Sequence, residues 1–158
     1  MNLISQSLLD EVAHEARVSP RRRKNRNFHA GDDAAAHRLL NALEPDSYVA
    51  PHRHLDPAKA ESIVALKGSF GVIVFDASGA VQGTAKLAPG GPDIGINLPP
   101  DTYHTIFALE PGSVFFEAKA GPYVAITPEE RAPWAPVEGS AEAPAYLAKL
   151  KALFLPNG

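Results

Sequence analysis

Apolar positions change their rhythm along this chain. Near the start, Leu8, Leu9, Val12 and Ala16 recur at the spacing of one helix face, and Ser7 with Asp10 three residues on reads as an N-terminal cap. Pro20 ends that segment. A second helix is predicted from Asp32 or Asp33, burying Leu39, Leu40 and Leu43 and stopped by Pro45. From Ser47 the texture turns to short β-forming runs divided by turn residues, which predicts strands over 47–54, 61–67, 71–76, 81–87, 94–98, 102–108 and 113–119. Asp76-Ala77-Ser78-Gly79 reads as a hairpin turn and Pro89-Gly90-Gly91-Pro92 as a tighter loop. The proline-rich stretch Gly121–Pro144 predicts an irregular arm anchored by Trp134. Tyr146, Leu147, Leu150 and Phe154 then fit a closing amphipathic helix.

Seven short strands without a βα rhythm predict a mainly β domain, a sandwich or small barrel carrying N-terminal helices and a short C-terminal helix. A length of 158 residues suits one domain. Within it, residues 1–46 are expected to pack as a helical segment on a barrel spanning 47–125, and 126–158 to form the arm and last helix. A hydrophobic fraction of 45% with 21% charged residues excludes wholesale disorder. Fifteen basic against 18 acidic side chains leave a formal charge of −3, the wrong sign for a general nucleic-acid binder. Cysteine is absent, which excludes disulfides and thiolate metal sites and suits a reducing cytoplasm. Met1 to Asp10 lacks the pattern of a secretory signal, and no apolar run approaches a membrane span.

Three of the six histidines, His52, His54 and His104, fall in the β-rich half. On a strand, His52 and His54 would project to one face while Arg53 points away. Two imidazoles on one face are half of a coordination sphere for a mid-row divalent metal. A turn over Leu55–Ala60 brings the next strand back alongside, and Glu61 opens it as the acidic member. His14 and His37, on predicted helices, read as structural residues. His29 reads either as a loop hydrogen-bonder or as part of a pocket rim.

The run His52-Arg53-His54, Glu61, six residues, then Gly68 resembles the first motif of the cupin superfamily, with a longer gap between the histidines and Glu61 than that motif usually has. Pro99 and His104 match the second motif, in which the histidine is the third ligand. Asp101 replaces its usual Gly, and Ala108 stands where Asn is common. Ser19-Pro20-Arg21, Arg26-Asn27-Phe28-His29, Leu40-Asn41-Ala42-Leu43, Ser47-Tyr48, Pro51-His52-Arg53-His54 and Gly121-Pro122-Tyr123 sharpen this into a resemblance to the WbuC family of cupin-fold metalloproteins, covering about Ser5 to Tyr146. Tyr103 stands where that family often has Trp. The resemblance implies a cupin-type small β-barrel or jelly roll. It also implies one divalent metal (Zn, Fe, Mn, Ni or Co) held by His52, His54, Glu61 and His104, a homodimer, and a link to bacterial surface polysaccharide (O-antigen) synthesis.

Phe115, Glu117 and Lys119 share one strand face, Val114, Phe116 and Ala118 the other. If the first set faces inward, Glu117 is a candidate general base and Lys119 a holder of anionic substrate; if the second does, both charges are solvated. Their place directly after the His104 strand favours the first. The basic run Arg21–Arg26 is either a solvated loop or a contact for the phosphate of a nucleotide-linked sugar, with Arg26, Asn27 and His29 as candidate pocket residues. The leading functional expectation is a metal-dependent enzyme acting on a small polar metabolite such as a sugar or nucleotide-sugar, isomerase- or lyase-like. A non-catalytic small-molecule binder and an iron-dependent dioxygenase are the alternatives.

Overall fold

In the computed structural model, which describes residues 1–155, the first helix opens at Ser5 rather than Ser7. The Ser5 hydroxyl accepts the Leu8 backbone N–H at 3.3 Å, which satisfies one of the unpaired donors of the first turn. Helix α1 (Gln6–Val18) buries Leu9, Val12, Ala13 and Ala16. Two residues after it, Pro20 prevents the helix from continuing.

The expected second helix is a strand. The basic run forms β1 (Arg23–Asn27), and Leu39, Leu40 and Leu43 lie on β2 (Ala36–Leu43). Strand β2 sits between β1 and β8 (Ser113–Ala120), antiparallel to both. Its Leu40 and Ala42 side chains pack under α1, while Leu39, Asn41 and Leu43 turn to the barrel interior. Burial on both faces removes the polar half of a strand's alternation, so its leucines mimic a helix stripe.

The other predicted strands form close to their expected bounds: β3 (Glu61–Lys67), β4 (Phe70–Phe75), β5 (Val81–Leu87), β6 (Gly95–Leu98) and β7 (Tyr103–Ala108). One sheet has the order β1-β2-β8-β3-β6 and the second β5-β4-β7. The predicted 47–54 strand is instead an irregular segment tied to β7 by a single bridge, His52 to His104. Pro51 contributes to this, because it has no N–H to extend a ladder. Asp76–Gly79 makes the β4–β5 hairpin, with Gly79 at φ 88°, whereas the Pro89–Pro92 loop carries the chain from one sheet to the other.

Between the sheets lies a core of Leu43, Ile63, Ala65, Phe70, Val72, Leu87, Leu98, Ile106, Ala108 and Phe115. Helix α1 covers the outer face of the five-stranded sheet, next to Leu40, Ala42 and Val114. The arm and helix α2 (Ala143–Ala152) cover the three-stranded sheet through Ala132, Ala143, Leu147 and Leu150. Trp134 anchors the arm as expected, its ring centroid 4.8 Å from that of Phe75. Phe154 follows the helix rather than lying in it and meets Phe107 edge-on. Among the described residues, no helix is long and apolar enough to cross a membrane.

Gly68 turns the chain between β3 and β4 at φ 69°, and a Cβ there would collide with the Ser113 side chain. Phe70, fully buried beside it, stacks edge-on with Phe115 at 5.2 Å. Phe70→Ala is expected to cost about 3–5 kcal/mol, read from the urea unfolding midpoint.

Candidate functional site

One end of the space between the sheets is apolar and the other is lined with polar groups. The polar end is a cavity of about 480 Å³, floored by Leu39, Leu43, Ile63, Ile106 and Phe115 and walled by Asn41, His52, Glu61, His104, Glu117 and Lys119. Alternation along β8 sends Phe115, Glu117 and Lys119 into it and Val114 out beneath α1, which is the inward choice for this strand. The register of β3 sets Glu61 opposite Lys119.

His52 and His104 are locked to each other through their backbones, each N–H donating to the other's carbonyl at 3.1 and 2.9 Å. The His54 carbonyl accepts from Asp101 N–H at 2.7 Å. Asp101 adopts φ 59°, the left-handed conformation that the glycine of the resembled motif would take without strain. Its carboxylate then accepts a hydrogen bond from Arg53 at 2.8 Å, and Arg53 lies over the Tyr103 ring at 4.6 Å. Neither Arg53 nor Tyr103 lines the cavity; for Tyr103 this follows the alternation of β7, and Arg53 is drawn aside by Asp101.

The three imidazoles converge, with ring centroids 4.7 Å (His52 to His104), 5.2 Å (His52 to His54) and 6.1 Å (His54 to His104) apart. Both oxygens of Glu61 are engaged: Oε1 with His54 Nε2 at 3.0 Å and Lys119 Nζ at 3.0 Å, Oε2 with His104 Nε2 at 3.1 Å. Lys119 also approaches Glu117 Oε1 to 2.6 Å. That oxygen has this ionic contact but no aligned hydrogen-bond donor, while Oε2 accepts from the Asn41 amide at 2.8 Å. His52 and His104 present Nδ1 to the Ala50 and Thr102 carbonyls at 3.0 and 2.9 Å, which orients both rings. Among the described residues, no group of three or more His, Cys, Asp or Glu is placed to hold a metal ion, and Glu61 instead contacts His54 and His104 directly.

These contacts set the electrostatics. Burial raises the Glu61 carboxyl, but the His104 and His54 bonds and the Lys119 charge outweigh it and hold Glu61 well below the usual carboxylate range. Burial opposes the charge on Lys119, and the Glu117 and Glu61 carboxylates reverse this, so its ammonium titrates above the ordinary lysine value. Burial, aided by the neighbouring imidazoles, lowers His52 to about 4.

The remaining candidates lie elsewhere. Arg26 bonds to Glu11 and Glu15 of α1, both at 2.7 Å, on the outer face of the sheet. Asn27 is exposed at the end of β1, and His29 stacks on His37 at 3.9 Å with Nδ1 3.2 Å from the Arg38 N–H. None of the three lines the cavity; Arg21, Arg23 and Asn25 do. Arg21 and Arg23 belong to the basic run that reads as a solvated loop or a phosphate contact, with Arg26 as its first candidate. His37 and Asn41 are not among the expected site residues because a helix is expected where β2 runs. His37 shares a small cavity of about 120 Å³ with His52, His54 and Lys119, and its buried Nε2 has no partner among the described residues.

A family model described as domain of unknown function (DUF6016) matches residues 4–87, more than half of the chain. The chain belongs to that family. The matched region includes His52, His54 and Glu61 and stops before His104, Glu117 and Lys119. No curated protein matches the sequence. Among solved structures, KdgF from Halomonas sp. is similar at TM-score 0.52 and 19% identity, over 68% of this chain and 85% of its own. The SPY1581 protein of unknown function from Streptococcus pyogenes is similar at TM-score 0.50 and 15% identity, over 67% and 80%. Such likeness shows the fold, a cupin-type jelly roll.

His52 makes the domain acid-sensitive. Its pKa is lower folded (about 4) than unfolded (about 6.5), so unfolding takes up a proton and stability falls as pH drops through that window. Chelator-treated protein is expected to lose about 2 kcal/mol between pH 7.5 and 5, with the loss clearly smaller in His52→Asn. Urea titrations at the two pH values measure it; equal losses would exclude His52 as the source.

Proposed function

We propose that His52, His54, Glu61 and His104 hold one divalent ion of zinc, iron, manganese, nickel or cobalt. On this reading the chain is a metal-dependent enzyme of isomerase or lyase type, acting on a small polar metabolite such as a sugar or nucleotide-sugar. The observation that carries the metal reading is His104. Its ring stands between two acceptors, the Thr102 carbonyl and the Glu61 carboxylate. A ring with one N–H can serve only one of them, so the other calls for a second proton or for a cation. A cation beside Nε2 serves the ring's lone pair and the carboxylate together, and the donor set of imidazoles with one carboxylate suits these metals. The charge balance agrees, since among the described residues one ammonium, Lys119, faces both Glu61 and Glu117. When bound, such an ion supplies a Lewis acid that polarises a substrate oxygen.

The chain's own residues supply the rest. Asn41 holds Glu117 Oε2, so that Oε1 is positioned to accept a proton inside the cavity, and Lys119 stands 2.6 Å away to balance the charge. Leu39, Ile63, Ile106 and Phe115 exclude water beneath them. A volume of about 480 Å³ fits a small metabolite. The sugar class, and with it a link to surface polysaccharide, is supported by the WbuC-like motifs and not by the geometry. The competing reading is a binding module without turnover, favoured by the same Glu117–Lys119 contact if that contact persists with ligand bound and leaves no free base.

Tag-free protein is expected to carry about one metal ion per chain, and His52→Ala and His104→Ala to lose most of it, by elemental analysis. Equal metal content in all three would end the assignment. Once a turned-over sugar is found, Glu117→Gln should slow it by about 10²–10⁴ with the metal retained. A ligand that binds and is released unchanged by wild type would favour the module.

A further inference from the structure

The cavity has a charged mouth. Arg21 grips Glu138 with two bonds, Nε to Oε1 at 2.8 Å and a terminal nitrogen to Oε2 at 2.7 Å. Arg23 adds a third, to Oε2 at 2.8 Å, and braces itself on the Tyr48 carbonyl at 3.0 Å. Arg23 is 15% exposed and Arg21 63%. Beside the 480 Å³ chamber lies a second cavity of about 450 Å³ beneath the arm, and Arg21, Arg23, Val49 and His52 line both. The arginine pair therefore stands on the wall shared by the cleft and the chamber that holds Glu61 and His104. Arg131 lines the same cleft, and Glu138 is the one carboxylate residue of that lining among the described residues. Glu138 holds its charge firmly: the arginine bonds keep its carboxyl down at about 2.

A planar guanidinium fork takes a carboxylate or phosphate in two parallel bonds, and Glu138 occupies the fork of Arg21 in that way. Glu138 comes from the arm, which covers the cleft, and one such carboxylate leaves the cluster with surplus positive charge. We propose that Arg21 and Arg23 recognise the anionic group, carboxylate or phosphate, of a ligand whose polar body enters the chamber, and that Glu138 fills this position until the ligand's anion replaces it. The inference rests on the chamber being the reactive site, and it narrows the metabolite to a sugar acid or sugar phosphate. It also separates the arginines of the basic run. Arg26 is committed to α1, whereas Arg21 and Arg23 face the cleft.

Calorimetric titration of the purified protein with gluconate, glucose 6-phosphate and neutral glucose tests it, with metal content measured on the same samples. At least one anion is expected to bind about tenfold or more tightly than glucose, and which one does names the source of the charge. Arg21→Ala, at an exposed position, should weaken that anion by about tenfold, with Arg21→Lys between it and wild type because the fork is lost. Glu138→Gln should tighten binding by about fivefold, having removed the internal competitor. Metal content should be the same in all of these variants. Anions that bind no better than glucose, an Arg21→Ala protein that binds as wild type does, or a Glu138→Gln protein with no gain would each overturn the proposal, whatever the metal content. Metal-free wild type whose anion binding still follows Arg21 and Glu138 would instead sustain it and remove the metal reading.

Discussion

A single carboxylate, buried where the two sheets meet, organises this molecule. Glu61 opens β3, yet its oxygens reach the loop histidine His54, the β7 histidine His104 and Lys119 of β8. Burying a carboxylate is costly unless hydrogen bonds and opposite charge compensate it. Here three groups from three segments do so, and each is itself held. His104 is fixed through its Nδ1 and its backbone bridge to His52, Lys119 by Glu117, and Glu117 by Asn41. The network thus links β2, β3, β7, β8 and the 52–54 segment at one end of the barrel.

The opposite end can be apolar because the sheets are sealed on their outer faces. Helix α1 closes over β2 and β8, and the arm with α2 closes over β4 and β7. These covers also act on the polar end. The arm meets the histidine segment directly, since Arg53 N–H donates to the Glu130 carbonyl at 2.9 Å and Ala132 N–H to the Pro51 carbonyl at 3.1 Å. Farther along, the same arm delivers Glu138 to the arginines of the cavity mouth. A segment with little regular secondary structure therefore helps to hold the histidines and shapes the entrance to their chamber.

Legibility from sequence followed the distance over which each feature is decided. Strand β8 presents Glu117 and Lys119 together because of a two-residue period, while His52 and His54 come within 5.2 Å of each other although their segment is not a strand. The hairpin at Asp76–Gly79 is local turn chemistry, with the Asp76 carboxylate accepting from the Ser78 and Ala80 N–H groups. In contrast, β2 was mistaken for a helix because its character depends on neighbours. Leu40 and Ala42 are apolar for α1, Leu39 and Leu43 for the chamber, and no polar side is left to show the alternation. Reading β2 as a helix hides His37 and Asn41 from the site and leaves β1 without the strand it pairs with.

What the chain's own order determined was the content of the site: which side chains alternate on which strand, and that three imidazoles and a carboxylate lie at spacings that can converge. Only the tertiary structure decided which of the basic residues belong to it. Arg23 and Arg26 sit on one short strand, three residues apart, and therefore on opposite faces. Nothing in the run itself says which face meets acidic α1 and which meets the cleft. That depends on packing elements distant in sequence, because a long flexible cation takes its direction from whichever carboxylate the fold brings within reach: Glu11 and Glu15 for one, Glu138 for the other.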